Sequence, residues 1–181
     1  MSHSEVRLDQ FSSYPTPKDT VVLIGDSLIE RGQWDELIPE TKTVNRGISG
    51  ATFKSYLDTG IIQRLDSSNK VIILLGINNF WNGETYPQVF EQFLAFKSAI
   101  KEKNFKSVSF IKILPTFLID LDNRSKDILN LNSEIAKSFS DSEIIDLSQE
   151  LSSPQYFIDG VHLNGSGYQK VGSFIKKSLL K

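Results

Sequence analysis

The sequence predicts a three-layer α/β domain, in which helices cover both faces of a parallel sheet. Two observations lead to this fold class. Apolar runs of strand length recur along the chain, and the segments between them show the three- or four-residue spacing of amphipathic helices. Strands that alternate with such helices form βαβ units, whose strands are parallel and buried. The length of 181 residues is that of one domain.

Each predicted element has its own segment. The apolar runs that predict strands are Val21–Ile24, Thr43–Asn45, Val71–Leu75, Val108–Leu114 and Ile144–Leu147. The segments with helical spacing are Tyr86–Lys103, Ser125–Phe139 and a C-terminal stripe from Tyr168 to Leu179. Residues 1–17 contain two prolines and are expected to form an N-terminal arm of little order, followed by a single domain over 18–181.

Composition excludes several classes of function. The chain has 20 Lys+Arg and 22 Asp+Glu, and neither sign forms a long block, which argues against nucleic-acid binding. Cysteine is absent, so thiolate metal sites and cysteine nucleophiles are excluded. No apolar run has the length of a membrane span or a signal peptide, so we expect a cytoplasmic protein. We also expect no metal or cofactor.

Polar and small residues follow the predicted strands at the edge where α/β sheets bind ligands. Ser27 follows the first strand, and a serine hydroxyl becomes a nucleophile when a base takes its proton. The chain has two histidines, and His162 is the one placed in such a loop, three residues after Asp159. The sequence therefore allows a Ser27–His162–Asp159 triad. Taken singly, Ser27 could instead cap a helix, and Asp159-Gly160 could be a simple turn.

An acyl-transfer site also needs donors for the negative oxygen of its tetrahedral intermediate. Gly50, in the loop after the second strand, could offer a backbone N–H without side-chain bulk. Asn78, after the third strand, could offer a side-chain amide. The alternatives are a glycine required by a positive φ angle and an Asx-turn, respectively.

Four sequence blocks strengthen this interpretation. They are Gly25-Asp26-Ser27-Leu28, Asn45-Arg46-Gly47-Ile48-Ser49-Gly50, Gly76-Ile77-Asn78 and Asp159-Gly160-Val161-His162. In order and spacing they resemble the motif blocks of the SGNH, or GDSL, hydrolase family, especially its small acetylhydrolase and lysophospholipase-like esterases. The resemblance implies a flavodoxin-like sheet of five parallel strands in the order 2-1-3-4-5. It also implies that Ser27 is the nucleophile, His162 the base and Asp159 its orienting acid, with oxyanion donors from Ser27, Gly50 and Asn78.

Two positions depart from the family pattern. Asn79 stands where the third block commonly has an aspartate, and Ala51 stands where an aspartate often follows the second block. Both acids play supporting roles in the family. Their replacement puts loop rigidity and rate in doubt, and leaves the reaction class unchanged.

Residues that could bind substrate surround these blocks. The candidates are Asp26, Trp34, Asn79, Phe80, Trp81 and Phe117. Trp34 and Phe80 could equally pack helix against sheet, and Asp26 could brace neighbouring loops; Trp81, in a polar loop, is the best candidate for a ligand-facing ring. No long insertion separates the blocks, which favours an open site and short acyl chains.

The leading hypothesis is a serine esterase that needs no cofactor and acts on a small-molecule ester. Carbohydrate O-acetyl esters or acyl thioesters are alternative substrates, because their hydrolysis passes through the same kind of intermediate. A catalytically degenerate, flavodoxin-like binding module is the alternative outside the enzymes. The sequence does not indicate the oligomeric state.

Overall fold

A computed structural model describes residues 2–140 and 143–180. Its centre is a parallel five-stranded sheet with the strand order β2-β1-β3-β4-β5, which confirms the predicted fold class and strand order. The strands are β1 (Val21–Gly25), β2 (Thr43–Gly47), β3 (Lys70–Leu74), β4 (Ser107–Ile111) and β5 (Ile144–Ile145).

Helices connect and flank these strands. They are α1 (His3–Ser13), α2 (Ser27–Glu30), α3 (Trp34–Leu37), α4 (Phe53–Asp58), α5 (Ile61–Arg64), α6 (Ile77–Trp81), α7 (Tyr86–Glu102), α8 (Ile119–Asp122), α9 (Ser125–Ser138) and α10 (Gly165–Leu179). A one-turn 3-10 helix spans Pro154–Tyr156. None of the described helices has the length and apolar character needed to cross a membrane.

Strand β1 lies inside the sheet, between β2 and β3, and all of its residues are buried. Such double burial explains why Val21–Ile24 is a continuous apolar run instead of an alternating one. A side chain at Gly25 would collide with the Leu74 carbonyl oxygen of β3. The last residue of β1 therefore has to be glycine, and the chain leaves the sheet there in a tight turn.

Helix α7 covers one face of the sheet with the predicted apolar stripe. Val89, Phe93, Phe96 and Ile100 are all buried on this helix. The Phe93 ring meets Phe53 of α4 at 5.7 Å between centroids and Phe110 of β4 at 6.2 Å. This aromatic cluster joins the sheet to two helices.

The fourth strand ends earlier than the apolar run Val108–Leu114 predicts. Asn132 of α9 explains the difference, because its amide accepts a hydrogen bond from the Ile113 N–H at 2.8 Å and donates to the Ile113 carbonyl at 2.9 Å. A side chain from α9 thus replaces a neighbouring strand as the partner of this backbone. The fifth strand, predicted over Ile144–Leu147, pairs with β4 only over its first two residues.

The N-terminal segment contains a helix, where the sequence predicts an arm of little order. Ser2 and Glu5 form a capping box at the start of α1. The guanidinium groups of Arg7 and Arg46 lie 4.8 and 4.7 Å from the Phe11 ring centroid, and Arg7 Nε donates to the Gly47 carbonyl at 2.9 Å. The contacts to Arg46 and Gly47 attach α1 to the end of β2, inside the second sequence block.

Candidate active site

Ser27 is the first residue of α2, directly after β1. Asp26 is the N-cap of this helix, and its Oδ1 accepts a hydrogen bond from the Leu28 N–H at 2.9 Å. Capping by the preceding residue leaves the Ser27 hydroxyl free to point away from the helix. The buried strand and the capped turn together fix the position of this hydroxyl.

A continuous chain of hydrogen bonds links Ser27 to His162 and Asp159. Ser27 Oγ lies 3.0 Å from His162 Nε2, and His162 Nδ1 lies 2.6 Å from Asp159 Oδ2. With the proton on Nδ1, the imidazole donates to the carboxylate, and Nε2 is then free to accept from the serine hydroxyl. The geometry brings together all three residues that the sequence predicts as a triad.

Asp159 is held in its ionised form. Burial alone would raise its pKa, but hydrogen bonds from the His162 backbone and ring and from the Val161 N–H lower the pKa to about 2. The two backbone donors reach Oδ1 at 2.8 and 3.1 Å, which leaves Oδ2 for the imidazole. The carboxylate therefore stays negative at neutral pH and fixes both the orientation and the tautomer of His162.

The loop that carries Asp159 and His162 is tied down at a few points. The Ile158 N–H donates to the His162 carbonyl at 2.7 Å, and the Phe117 N–H donates to the Gly160 carbonyl at 2.8 Å. Gly160 has a φ of 86°, a left-handed conformation that favours glycine. The tight turn of Asp159-Gly160 thus serves to fold the carboxylate back onto the imidazole.

The two predicted oxyanion donors face the same cleft as Ser27. Gly50 has a φ of 77°, and nothing lies within 4 Å of the place where a Cβ would be. Asn78 Nδ2 donates one hydrogen bond to the Ala51 carbonyl at 3.1 Å, which orients the amide and leaves its second hydrogen available. Gly50, Asn78, Ser27 and His162 all line one open cleft of about 410 Å³.

This geometry agrees with the comparison with known families. Residues 23–170 match the model of the GDSL-like Lipase/Acylhydrolase family. The chain belongs to this family. As a GDSL-like family member it is a hydrolase, in agreement with the acyl-transfer chemistry expected from the four sequence blocks.

Solved structures share the fold of this GDSL-like protein. A GDSL-like lipase from Bacteroides thetaiotaomicron is 19% identical, with a TM-score of 0.78 over 98% of this chain and 97% of that chain. A Bacteroides fragilis protein named as a candidate acylhydrolase is 19% identical, with a TM-score of 0.78 over 98% of this chain and 96% of that chain. The lipase/acylhydrolase from Enterococcus faecalis is 19% identical, with a TM-score of 0.70 over 88% of this chain and 94% of that chain. The search of curated proteins gave no significant match.

Of the candidate substrate-binding residues in this GDSL-like chain, Trp81 reaches the cleft. Its side chain is 52% exposed and lines the cleft together with Ile77 and Leu118. Phe117 is exposed at the surface outside the cleft lining, and its ring lies tilted against that of Phe157, with 5.2 Å between the centroids. It is therefore Leu118, the neighbour of Phe117, that forms the wall of the cleft.

The other four candidates lie inside the protein and do not meet the cleft. Trp34 is buried and its Nε1 donates to the Ile29 carbonyl at 2.8 Å, while Phe80 is buried in the core. Asp26 is buried at the N-cap of α2. The prediction that these four residues bind substrate is therefore wrong, because their side chains are buried and do not line the cleft.

Asn79 is also fully buried, and the hydrogen-bond partners around it suit an amide better than the acid that the family commonly has at this position. Its Oδ1 accepts from the Phe53 N–H at 3.2 Å, and its Nδ2 donates to Glu84 and Gln92 at 3.0 and 2.8 Å. A carboxylate in this place would face Glu84 and could donate nothing to it. An amide can donate and accept at once, so Asn79 braces the loop behind the cleft and does not touch a substrate.

Sequence reasoning missed Glu30, which holds the loop that carries Ser49 and Gly50. Its carboxylate accepts from the Ser49 N–H at 2.8 Å and the Ser49 hydroxyl at 2.9 Å. From the other side, His3 Nε2 lies 2.8 Å and Arg7 Nε 3.5 Å from the same carboxylate. Partial burial raises the pKa of Glu30, and these four contacts outweigh it, so that the pKa lies below its ordinary value. Glu30 thus joins α1 to the residue before Gly50.

Within the described part of the chain, no group of three or more metal-ligating side chains occurs. The polar and charged residues at the cleft include the Ser27–His162–Asp159 chain, Asn78 and Arg31.

Proposed function

We propose that the protein is a serine esterase, which hydrolyses carboxylic esters of short acyl chains through an acyl-enzyme on Ser27. The single observation that carries this proposal is the hydrogen-bonded chain Ser27 Oγ–His162–Asp159, with separations of 3.0 and 2.6 Å. An imidazole fixed by an ionised carboxylate and facing a serine hydroxyl is the arrangement that activates a nucleophile for acyl transfer.

In the first half-reaction, Ser27 Oγ attacks the ester carbonyl while its proton passes to His162 Nε2. The carbonyl oxygen becomes negative, and the N–H groups of Ser27 and Gly50 with the Asn78 amide are the donors that would stabilise it. Collapse of the tetrahedral intermediate breaks the bond to the alcohol. His162 then gives its proton to the departing alkoxide, and Asp159 stabilises the imidazolium in between.

In the second half-reaction, water takes the place of the alcohol. His162 removes a proton from this water as it attacks the acyl-Ser27 ester, and the same donors hold the new oxyanion. Breakdown releases the carboxylic acid and returns the proton to Ser27. The open cleft of about 410 Å³ admits both a small ester and water, in keeping with short acyl chains.

The test is covalent labelling combined with one substitution. A fluorophosphonate should label Ser27 stoichiometrically, and Ser27→Ala should lower kcat for p-nitrophenyl acetate by about a thousandfold or more. Ser178→Ala, a serine of α10 whose hydroxyl bonds the Ile175 carbonyl, is the matched control and should keep full activity. Folded protein that remains unlabelled and turns over no activated ester would refute the proposal.

A comparison of substrates would identify the leaving group that the protein prefers. Oxygen esters, acetylated sugars and acyl thioesters all form the same intermediate on Ser27, so the triad alone does not separate them. Measured kcat/KM values for p-nitrophenyl esters of increasing acyl length, acetylated sugars and acyl-CoA thioesters would rank the three substrate classes.

A further inference from the structure

Arg31 lies one helical turn after the proposed nucleophile. Arg31 is the C-cap of α2, four positions after Ser27. Its backbone N–H donates to the Ser27 carbonyl at 3.1 Å, as in a helical turn. Residues four apart on a helix share one side of it. Arg31 accordingly lines the same cleft as Ser27 and His162, and it is exposed there.

The guanidinium group of Arg31 has no protein partner among residues 2–140 and 143–180, in contrast to the other arginines of the chain. Each of those four donates to a carbonyl, hydroxyl or carboxylate: Arg7, Arg46, Arg64 and Arg124. The nearby carboxylates are already engaged, since Glu30 binds Ser49, His3 and Arg7, and Asp159 binds His162. The five N–H donors of Arg31 are thus free to meet a ligand.

Among the described residues that line the cleft, Arg31 is the only one with a fixed positive charge. No lysine and no other arginine lines it, and its walls include the apolar side chains of Ile77, Trp81 and Leu118. A hydrogen bond from a guanidinium to an anion is charge-assisted, and it is stronger than a hydrogen bond between neutral groups. A guanidinium matches the planar fork of a carboxylate and the oxygens of a phosphate.

We propose that Arg31 determines specificity, selecting esters that carry an anionic carboxylate or phosphate group near the scissile bond. This inference rests on the proposed esterase function. The anionic group takes no part in the bond changes at Ser27. It binds Arg31 in both the ground state and the transition state, and so raises kcat/KM mainly through binding.

The test compares anionic and neutral acetyl esters of similar size. The substrates are 4-acetoxybenzoate, 4-acetoxyphenyl phosphate and the neutral methyl 4-acetoxybenzoate, and the readout is kcat/KM for each anionic ester divided by that for the neutral one. In Arg31→Gln this ratio should fall about tenfold for at least one anion, because a hydrogen bond to a charged group is lost. The two anionic esters distinguish a carboxylate from a phosphate.

Two further variants separate a specific contact from a general change of charge. Lys42→Gln removes one positive charge from the opposite end of the sheet, where Lys42 precedes β2, and should leave the ratio unchanged. Arg31→Lys should restore part of the ratio, because a lysine supplies the charge without the bidentate fork. Raising the salt concentration should lower the ratio for the wild type and leave it unchanged for Arg31→Gln.

Ratios in Arg31→Gln within twofold of the wild type for both anions would overturn the proposal. A wild type that hydrolyses none of the three esters would instead refute the esterase function. In that case calorimetry still decides the role of Arg31: Ser27→Ala should bind 4-acetoxybenzoate or 4-acetoxyphenyl phosphate about tenfold more tightly than Ser27→Ala/Arg31→Gln. Equal affinities for both compounds would rule out anion binding by Arg31.

Discussion

At the scale of single residues, Asp26 is a carboxyl group buried next to the proposed nucleophile. Burial raises its pKa from 3.8 to about 7, although hydrogen bonds from the backbone, including the Leu28 N–H, work in the opposite direction. Its Oδ2 is buried without a hydrogen-bond partner in the described structure, while Oδ1 caps α2. Asp26 therefore positions the turn before Ser27 and carries a proton over much of the acidic range.

This raised pKa makes stability depend on pH. Between 3.8 and about 7 the folded protein holds a proton on Asp26 that the unfolded chain has lost, so the contribution of this group to stability is complete below 3.8 and disappears as pH rises to about 7. Asp26→Asn keeps an oxygen for the Leu28 N–H and cannot ionise. We expect the free energy of unfolding of the wild type, relative to Asp26→Asn, to fall between pH 4 and pH 7 in urea titrations.

The control for this prediction is Asp35→Asn, at an exposed position in α3. Its difference from the wild type should change little over the same pH range. Parallel pH profiles for the wild type and Asp26→Asn would show that Asp26 ionises normally in the folded protein.

The juxtaposition of the three proposed triad residues could be predicted from the sequence, whereas the wall of the cleft could not. Ser27, Asp159 and His162 are recognisable because they stand in sequence blocks that follow predicted strands, and because His3 is the only other histidine in the chain. Trp34 and Trp81 look alike in sequence, since both are tryptophans close to a motif. Whether such a ring faces the core or the cleft depends on the direction in which a short helix packs, and only the folded structure supplies that.

At the scale of elements, Glu30 connects α1 to the loop that carries Gly50. Contacts 19 and 27 residues apart in the chain converge on this carboxylate, which is why no local pattern predicts them. The N-terminal segment looks unstructured in sequence because its helix, α1, buries no apolar face. None of its residues is buried, and the helix is held by the hydrogen bond from Arg7 to Gly47 and by the Arg46 guanidinium over the Phe11 ring.

Substitution of Glu30 should therefore affect the proposed reaction without removing a catalytic group. Glu30→Gln loses the ionic attraction to Arg7 and cannot accept both hydrogen bonds from Ser49. A less well-fixed Gly50 N–H should lower kcat about tenfold with little change in KM, because an oxyanion donor acts mainly in the transition state.

Steady-state kinetics with p-nitrophenyl acetate would measure this effect. Glu40→Gln is the matched control, because Glu40 forms an exposed ion pair with Lys176 and lies outside the cleft. Unchanged kcat in Glu30→Gln would mean that the loop carrying Gly50 keeps its position without Glu30.

At the scale of the whole molecule, stability depends on the aromatic cluster between the sheet and α7. Phe96 is fully buried, with its ring 5.4 Å from that of Phe53 and 6.3 Å from that of Tyr56. Phe96→Ala should lower the free energy of unfolding by about 3–5 kcal/mol, through lost burial and the cavity left behind. Urea denaturation measures this quantity.

Leu129→Ala serves as the comparison, because Leu129 is 68% exposed on α9. Its substitution should change the free energy of unfolding by about 0.5 kcal/mol or less. Similar losses for the two variants would indicate that the cluster around Phe96 can repack.

The overall architecture could be predicted because it follows from alternation of apolar runs and helical stripes, which persists over long stretches of chain. The ends of β4 and β5 could not be predicted. The hydrogen bonds between the Ile113 backbone and Asn132, for example, depend on a side chain from another element. Periodicity identifies an element from many residues together, whereas a boundary can depend on a single distant hydrogen bond.

The position of β1 has one more consequence, which concerns local unfolding. Ser27 follows a strand paired on both sides in the middle of the sheet, so exposing its backbone requires disruption of the core. Asp159 and His162 belong to a loop held by a handful of backbone hydrogen bonds and one isolated β-bridge between Phe157 and Leu163. Segments held in this way open at a lower free energy than a central strand. The proposed nucleophile, Ser27, and the proposed base, His162, therefore belong to parts of the molecule with unequal protection against hydrogen exchange. Mild denaturant should expose the loop of His162 before the sheet unfolds.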